Sequence, residues 1–195
     1  MKNMVKLGII LALYATVACV GLAFVYAGTE KIIKERQQAD LEEALKELFP
    51  EADTFNPVEG IKSPNPQVTV ESAYEARRNS ELAGVSLRVS KGSYGGDIKV
   101  LVGVSAGGTI TGVKILEHKD TPGLGANAAS PAYYVDKENK ITFYGQFANK
   151  PVHDPFEVKN DVEAITASTI TSRAVTDAVK AAGAGVTAWL AEAAK

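Results

Sequence analysis

"IKVLVGVSAGGTITGVKIL", residues 98–116, is the stretch on which the fold turns. Ile98, Val100, Val102 and Val104 recur at every second position, the period of a strand with one face in a core, and Thr109 to Leu116 is again rich in β-branched residues. Only Ala106, Gly107 and Gly108 separate the two runs. So short a link joins antiparallel neighbours, because a parallel pair needs a crossover of about a dozen residues or more. A third run, "GVSLRVS" at 84–90, lies just upstream, and strand signals extend from about Val68 to His118. The expected fold class is α+β, a mainly antiparallel sheet packed with helices, and not a doubly wound parallel sheet.

Helical patterns flank the strands. From about Thr171 to Ala194, Val175, Ala178, Val179, Ala182, Val186, Trp189 and Leu190 recur at spacings of three and four, giving a face wide enough to lie on a sheet. Gly183 and Gly185 are expected to break or bend this helix. Upstream, Thr29 to Phe49 reads as another helix, with Ile32, Ile33, Leu41, Ala44, Leu45, Leu48 and Phe49 on one side and Pro50 ending it. Whether it extends a preceding helix as a stalk or packs on the domain is open at this level. Asn56 to Gln67, with Pro57, Pro64 and Pro66, reads as a connecting loop.

In front of all this, Leu7 to Ala27 is 21 residues without a charge, enough for a helix to cross a hydrocarbon layer of about 30 Å. It exceeds the apolar stretch of roughly 7 to 15 residues found in cleaved signal peptides, so it reads as an anchor in membrane lipid. The expected organisation is a short segment at 1–6, a transmembrane helix at 7–27, a stalk helix and connector at 28–66, and a ligand-binding domain at 67–195. Lys2 and Lys6 precede the span and Lys31, Lys34 and Arg36 follow it, so basic residues do not orient it.

Composition removes several classes of function. Beyond the span the chain carries 19 basic and 23 acidic residues, a net of −4, with no basic stripe, which argues against nucleic acid as a partner. Its one cysteine, Cys19, lies inside the apolar segment, leaving the rest without thiol chemistry. His118 and His153 have no second ligand at metal spacing and read as surface or loop histidines, so no metal site is expected. No serine sits in a hydrolase-type elbow. "GSYGG" at 92–96 precedes a strand and does not open a helix, so on its own it is a turn.

Two segments remain. "ITASTITSRAV" at 165–175 crowds the hydroxyls of Thr166, Ser168, Thr169, Thr171 and Ser172 just before the last helix, where such oxygens cap free N–H groups and where the helix dipole favours an anion. "DTPGLG" at 120–125 combines a φ-restricting Pro122 with the permissive Gly123 and Gly125 around Leu124. Alone it is a rigid turn or a preformed ledge for a flat aromatic ligand.

Together, "SYGGDIKVLVG", "GGTITGVKILEHKDTPGLG" and "VEAITASTITSRAV" resemble, in order and spacing, the flavin-binding domain of the RnfG subunits of membrane-bound Rnf electron-transport complexes. The sequence is also similar to the related NqrC subunits of sodium-pumping quinone reductases, and the compact length favours the Rnf type. The resemblance covers about Ala73 to Val179 plus the amino-terminal span.

In that family FMN is esterified through its phosphate to the threonine that directly follows Gly-Ala in a motif close to Asp-x-x-(Ser/Thr)-Gly-Ala-Thr-x-Thr-Ser. Matched to Glu163–Ser172, this implies Thr169 as the attachment point, with Glu163, Ala167 and Ser168 departing from the pattern. By the same resemblance Thr166, Ser168 and Thr171 surround the phosphate, and Ile170, Thr121, Gly123 and Leu124 lie near the ring. It further implies a magnesium-dependent flavin transferase that supplies the FMN portion of FAD, other Rnf membrane and redox subunits as partners, and an extracytoplasmic domain on a single-pass anchor in the cytoplasmic membrane. The role implied is electron transfer within a complex that couples ferredoxin and NAD to movement of Na⁺ or H⁺, with no catalytic residue in the isolated chain. Two rival readings are an NqrC-like subunit and an anchored assembly module without cofactor.

Overall fold

The structure, a computed structural model, describes residues 2–193. Its described residues divide into two compact units, the first ending at Glu42.

The first unit is helical throughout. Helix α1 runs without a break from Lys2 to Leu48, so the expected span and the expected second helix are one element. Gly28 does not interrupt it, since one glycine costs a helix only about 1 kcal/mol. Its apolar window has a mean hydropathy of 2.4 and none of it is buried; among the described residues it is the one helix long and apolar enough to cross a membrane. Past the apolar part, Lys34–Glu30 at 2.6 Å and Lys31–Glu35 at 3.7 Å are helical pairs of the (i, i+4) kind.

The second unit begins with the last turn of α1 and is built on a five-stranded antiparallel sheet in simple order: β1 (Thr54–Val58), β2 (Val68–Arg78), β3 (Glu81–Gly92), β4 (Asp97–Ser105) and β5 (Ile110–Glu117). Short links dictate this order. Asn79 and Ser80, both at positive φ, form the two-residue turn between β2 and β3, the twist that suits a hairpin. Ser105 and Thr109 close the β4–β5 turn at 2.8 Å, as the short Ala-Gly-Gly link requires.

β1 corrects one expectation. Asn56, Pro57 and Val58 belong to a strand paired with β2, not to a loop. Pro57 is tolerated because β1 is an edge strand, where a missing N–H breaks no ladder on the outer side.

Period-two alternation sorts the sheet into two faces. Val85, Leu87 and Val89 of β3 and Val100, Val102 and Val104 of β4 are fully buried in one core with Val175, Ala178, Val179 and Val186 of the last helix, α2 (Thr169–Ala193). On the other face, Gly84, Gly103 and Gly112 lie on three adjacent strands, and the side chains of Leu48 and Phe49 rest on them. A methyl group on Gly84 would stand 2.3 Å from the Val104 carbonyl oxygen and 2.6 Å from the Phe49 ring.

α2 begins two residues earlier than expected and continues through Gly183 and Gly185. These glycines admit neighbours instead of breaking the helix: a Cβ on Gly185 would meet the Lys62 carbonyl oxygen at 2.8 Å, and one on Gly183 would meet Val152 at 3.3 Å. Between β5 and α2 the chain is mostly irregular, with a short hairpin of β6 (Tyr134–Asp136) and β7 (Ile141–Thr142). Phe143, Phe147 and Phe156 anchor this segment, with centroids 5.8 and 6.3 Å apart along the series.

Candidate functional site

The hydroxyl-rich segment ends in the first turn of α2, and its hydroxyls do different work. Ser172 Oγ accepts the Ile165 N–H at 3.0 Å and donates to the Ser168 carbonyl at 2.9 Å, folding the segment back on its own helix. Ser168 stands immediately before the helix, and its carbonyl accepts the first intrahelical bond, from the Ser172 N–H at 3.0 Å. The N–H groups of Thr169, Ile170 and Thr171 precede that bond and lie at the positive end of the helix dipole. Ala167 reaches this arrangement at φ +59, a left-handed conformation that suits glycine better than alanine. That is the position at which the Rnf-type motif carries glycine.

Side chains from elsewhere hold the segment. Gln146 accepts the Glu163 N–H at 2.7 Å and donates to the Glu163 carbonyl at 3.1 Å, gripping one residue from both sides. Tyr133 accepts the Thr166 N–H on its hydroxyl at 3.2 Å.

A second cluster centres on Asp120, which is 6% exposed. Its Oδ2 accepts from Ser93 Oγ at 2.7 Å and its Oδ1 from the Gly95 N–H at 2.6 Å, while Ser93 Oγ lies 3.3 Å from Thr171 Oγ1. Burial pushes the Asp120 carboxyl up, but the Ser93 hydroxyl, the Gly95 N–H, the Thr171 hydroxyl and the charge of His118 together hold it below the ordinary carboxylate value. Three distant segments therefore meet at one carboxylate: the β3–β4 loop, the 120–125 loop and the start of α2. Gly95 and Gly125 permit the approach, since a Cβ would stand 2.2 Å from the Lys119 carbonyl oxygen in the first case and 2.5 Å from Thr171 Oγ1 in the second.

Between these clusters lies a cleft of about 500 Å³, lined by Tyr94, Asp120, Thr121, Leu124 and Gly125 on one side and residues 167–171 on the other. Its size suits a small organic ligand. The rim is apolar and open, with Tyr94 73%, Ile170 56% and Leu124 42% exposed. Its floor is polar. Ser168 is one of its lining residues, and its Oγ is fully buried with no hydrogen-bond partner among the described residues. A hydroxyl left so costs about 1–3 kcal/mol relative to a satisfied one.

Of the residues singled out in the sequence, Thr121, Leu124, Ser168, Thr169, Ile170 and Thr171 all line this cleft, although they come from loops some fifty residues apart in a 195-residue chain. Gly123 and Thr166 do not line it. Gly123 lies at φ +78 and its carbonyl accepts from Asn127 at 3.0 Å, while Thr166 is exposed. Thr171 is 1% exposed and faces Ser93 and Asp120. Arg173 is exposed and outside the lining. His153 is exposed, whereas His118 is half-buried with Nδ1 unpartnered among the described residues. Among those residues no group of three or more His, Cys, Asp and Glu is placed to hold a metal ion.

Sequence reasoning missed Ser93, Tyr94, Gly95, Asp120 and the clamp from Gln146. "GSYGG" and "DTPGLG" each read as a turn in isolation. Their signal is joint: two glycine-bearing loops, one with a serine and the other with an aspartate, at adjacent ends of paired strands.

Comparison with known proteins gives a consistent picture. Residues 93–184 match the model of the FMN-binding domain, and residues 1–48 match that of the RnfG N-terminal region. The chain is 33% identical over 187 residues to the G-type subunit of the ion-translocating oxidoreductase complex of Methanosarcina acetivorans, covering 93% of each chain. It is 31% identical to the G-type subunit of the Na⁺-translocating ferredoxin:NAD⁺ oxidoreductase complex of Acetobacterium woodii, covering 91% of this chain and 89% of that one. It is 36% identical to the corresponding subunit of the proton-translocating ferredoxin:NAD⁺ oxidoreductase complex of Clostridium ljungdahlii, covering 86% and 83%. A crystal structure of Shewanella oneidensis NqrC overlaps 69% of this chain and 74% of its own, at 19% identity and a TM-score of 0.48.

Proposed function

Because this chain belongs to the RnfG family, whose members are subunits of ion-translocating oxidoreductase complexes, we propose that it is a membrane-anchored electron-transfer subunit carrying FMN on Thr169. The observation that carries this reading is the convergence of Thr169, the free first-turn N–H groups of α2 and an apolar rim on one cleft.

The residues fit the group. Free N–H donors at the start of α2 suit a phosphate, and Leu124, Tyr94 and Ile170 suit a flat aromatic ring. FMN, when bound, supplies one- and two-electron chemistry; the protein supplies position and environment. Thr169 holds the flavin through its side-chain oxygen, half-buried at the first position of the helix. Thr121 and Leu124 orient it from the opposite loop, with Gly123 permitting that loop's turn and Thr166 at the outer edge of the attachment segment. Asp120 keeps the two walls together through Ser93, Gly95 and Thr171.

Attachment is the work of a separate flavin transferase acting on FAD. Thr169 would supply the oxygen that receives the FMN portion of FAD, with AMP as the leaving group and the Thr169 hydroxyl proton released. Other membrane and redox subunits of the complex deliver and remove electrons and move Na⁺ or H⁺, coupled to ferredoxin and NAD. α1 anchors the chain in lipid of the cytoplasmic membrane through residues 7–27, its continuation serves as a stalk, and the flavin domain outside the cytoplasm takes in the end of α1 and β1 together with the residues from 67 onward.

Replacing Thr169 by valine removes the attacking oxygen and keeps the shape. Denaturation-resistant flavin fluorescence is expected in the native chain and absent from Thr169→Val; persistence in the variant contradicts the assignment.

A further inference from the structure

Among the described residues, Asp120 is the only charged residue that is buried. Its oxygens accept from Ser93 Oγ at 2.7 Å and the Gly95 N–H at 2.6 Å, and the Thr171 hydroxyl also turns to it. No ion pair among the described residues includes it, and His118 acts on it only as a nearby charge. Burial alone pushes the carboxyl up; the three donors hold it below the ordinary carboxylate range, so it is ionised at neutral pH. Hydrogen bonds of this kind steady a charge without cancelling it. Neutral groups tie two loops at less cost than a buried charge does. This charge stands on the wall of the ligand cleft.

We infer that the Asp120 carboxylate sets the reduction potential of a flavin held in this cleft, its field disfavouring reduction to a singly protonated, anionic ring. The inference rests on the flavin reading given above and deepens it. Reduction of the ring takes two electrons with one proton, which leaves an added negative charge, or with two protons, which leaves none. A fixed negative charge raises the energy of the first product only. The cleft, at about 500 Å³, is small enough for that field to cross it. Over about 10 Å at an effective dielectric of about 20, one charge changes an equilibrium by on the order of tenfold. Asp120 acts at a distance and needs no contact with the ring.

The test is a potentiometric titration with dithionite, at a series of pH values, of the full chain isolated with its flavin from its native membrane in detergent micelles. The slope of potential against pH halves where the reduced ring loses its second proton, and that break reports how well the anion is tolerated. Asp120→Asn is expected to move the break about one pH unit lower and to raise the potential above it by about 30 mV, the equivalent of tenfold for a two-electron couple. Well below the break, where the reduced ring is neutral, the two chains are expected to share one potential. Ser93→Ala loosens the same clamp but keeps the charge, and is expected to give less than about a third of either shift. Tyr94, Lys119 and Arg173, the charged or titratable side chains on the flanking segments, and His118 are common to all three chains, so their titrations drop out of the differences. No shift, a shift equal at all pH values, or one as large in Ser93→Ala overturns the inference. Where Asp120→Asn takes up no flavin, the native chain decides: a break above that of free FMN in the same buffer is expected, and one below it overturns. A native chain without flavin removes the reading beneath the inference, whereas a flavin-bearing chain indifferent to Asp120→Asn sinks only the inference.

Discussion

Ser93 Oγ donates to Asp120 Oδ2 at 2.7 Å across 27 residues of chain, and through that bond the β3–β4 loop is fastened to the loop that faces the start of α2. Both loops lie on one wall of the cleft, and the Thr171 hydroxyl, which meets Ser93 and Asp120, ties them to the other wall at the start of α2.

Asp120 gives the cleft a pH signature. Its carboxyl titrates lower in the folded chain than in the unfolded one, so its stabilisation is complete above the unfolded value, about 3.9, and is lost as pH falls through the folded value. Asp120→Asn is expected to cost about 1–3 kcal/mol at pH 7 and to flatten the stability profile below pH of about 5. Asp161, also held low once burial is outweighed by the Glu157 N–H and Lys150, titrates in the same direction, so the Asp120 share is the difference between the two chains. Urea unfolding followed by the single tryptophan, Trp189, reports both curves. Parallel profiles at low pH contradict the role assigned to Asp120.

Glycine substitutions on the sheet face beneath Leu48 and Phe49 are expected to differ sharply. Gly84→Ala drives a methyl into the Val104 carbonyl at 2.3 Å, a backbone atom that cannot move aside, and is expected to cost about 2–3 kcal/mol. Gly112→Ala meets only Leu48 Cδ2 at 2.8 Å, the end of a rotatable side chain, and is expected to cost less than about 1 kcal/mol. Equal unfolding midpoints for the two variants contradict this packing.

Ala167→Gly is expected to stabilise. Alanine at φ +59 carries a left-handed penalty of about 1–2 kcal/mol, partly offset by the greater freedom of glycine when unfolded, for a net gain of about 0.5–1 kcal/mol. A melting temperature about 1–4 °C higher checks it. A lower one means the turn before α2 is drawn wrongly.

Gln146 grips Glu163 from both sides, at 2.7 and 3.1 Å, and so fixes the segment that presents Thr169. Gln146→Ala is expected to slow flavin attachment several-fold without changing its end point, measured as the time course of covalent flavin fluorescence with FAD and a transferase. An unaltered rate shows that the clamp is irrelevant to presentation.

Much of this fold was readable in advance, for physical reasons. Val85 to Val89 and Ile98 to Val104 alternate because one face of each strand is covered by α2, Ile110 to Ile115 join the same core beneath the segment that follows β5, and the short links leave one topology. β1 escaped notice because Pro57 argues against a strand except at an edge, and edge position is a property of the sheet, not of the segment. Gly183 and Gly185 suggested a broken helix, but their missing side chains serve Val152 and Lys62, partners invisible in a helical pattern. The cleft was half legible. The α2 wall follows from hydroxyls at a helix start, whereas the Asp120 cluster joins residues 25 to 78 positions apart, and no local pattern announces such contacts.

The central claim is the ester at Thr169, and the most direct measurement is the intact mass of the chain isolated from its native membrane, followed by fragment mapping of the adduct. A mass greater than the unmodified chain by one FMN less one water, carried on the fragment at Thr169, is the expected result. An unmodified mass, or an adduct on Ser168, Thr166 or Thr171, contradicts the account.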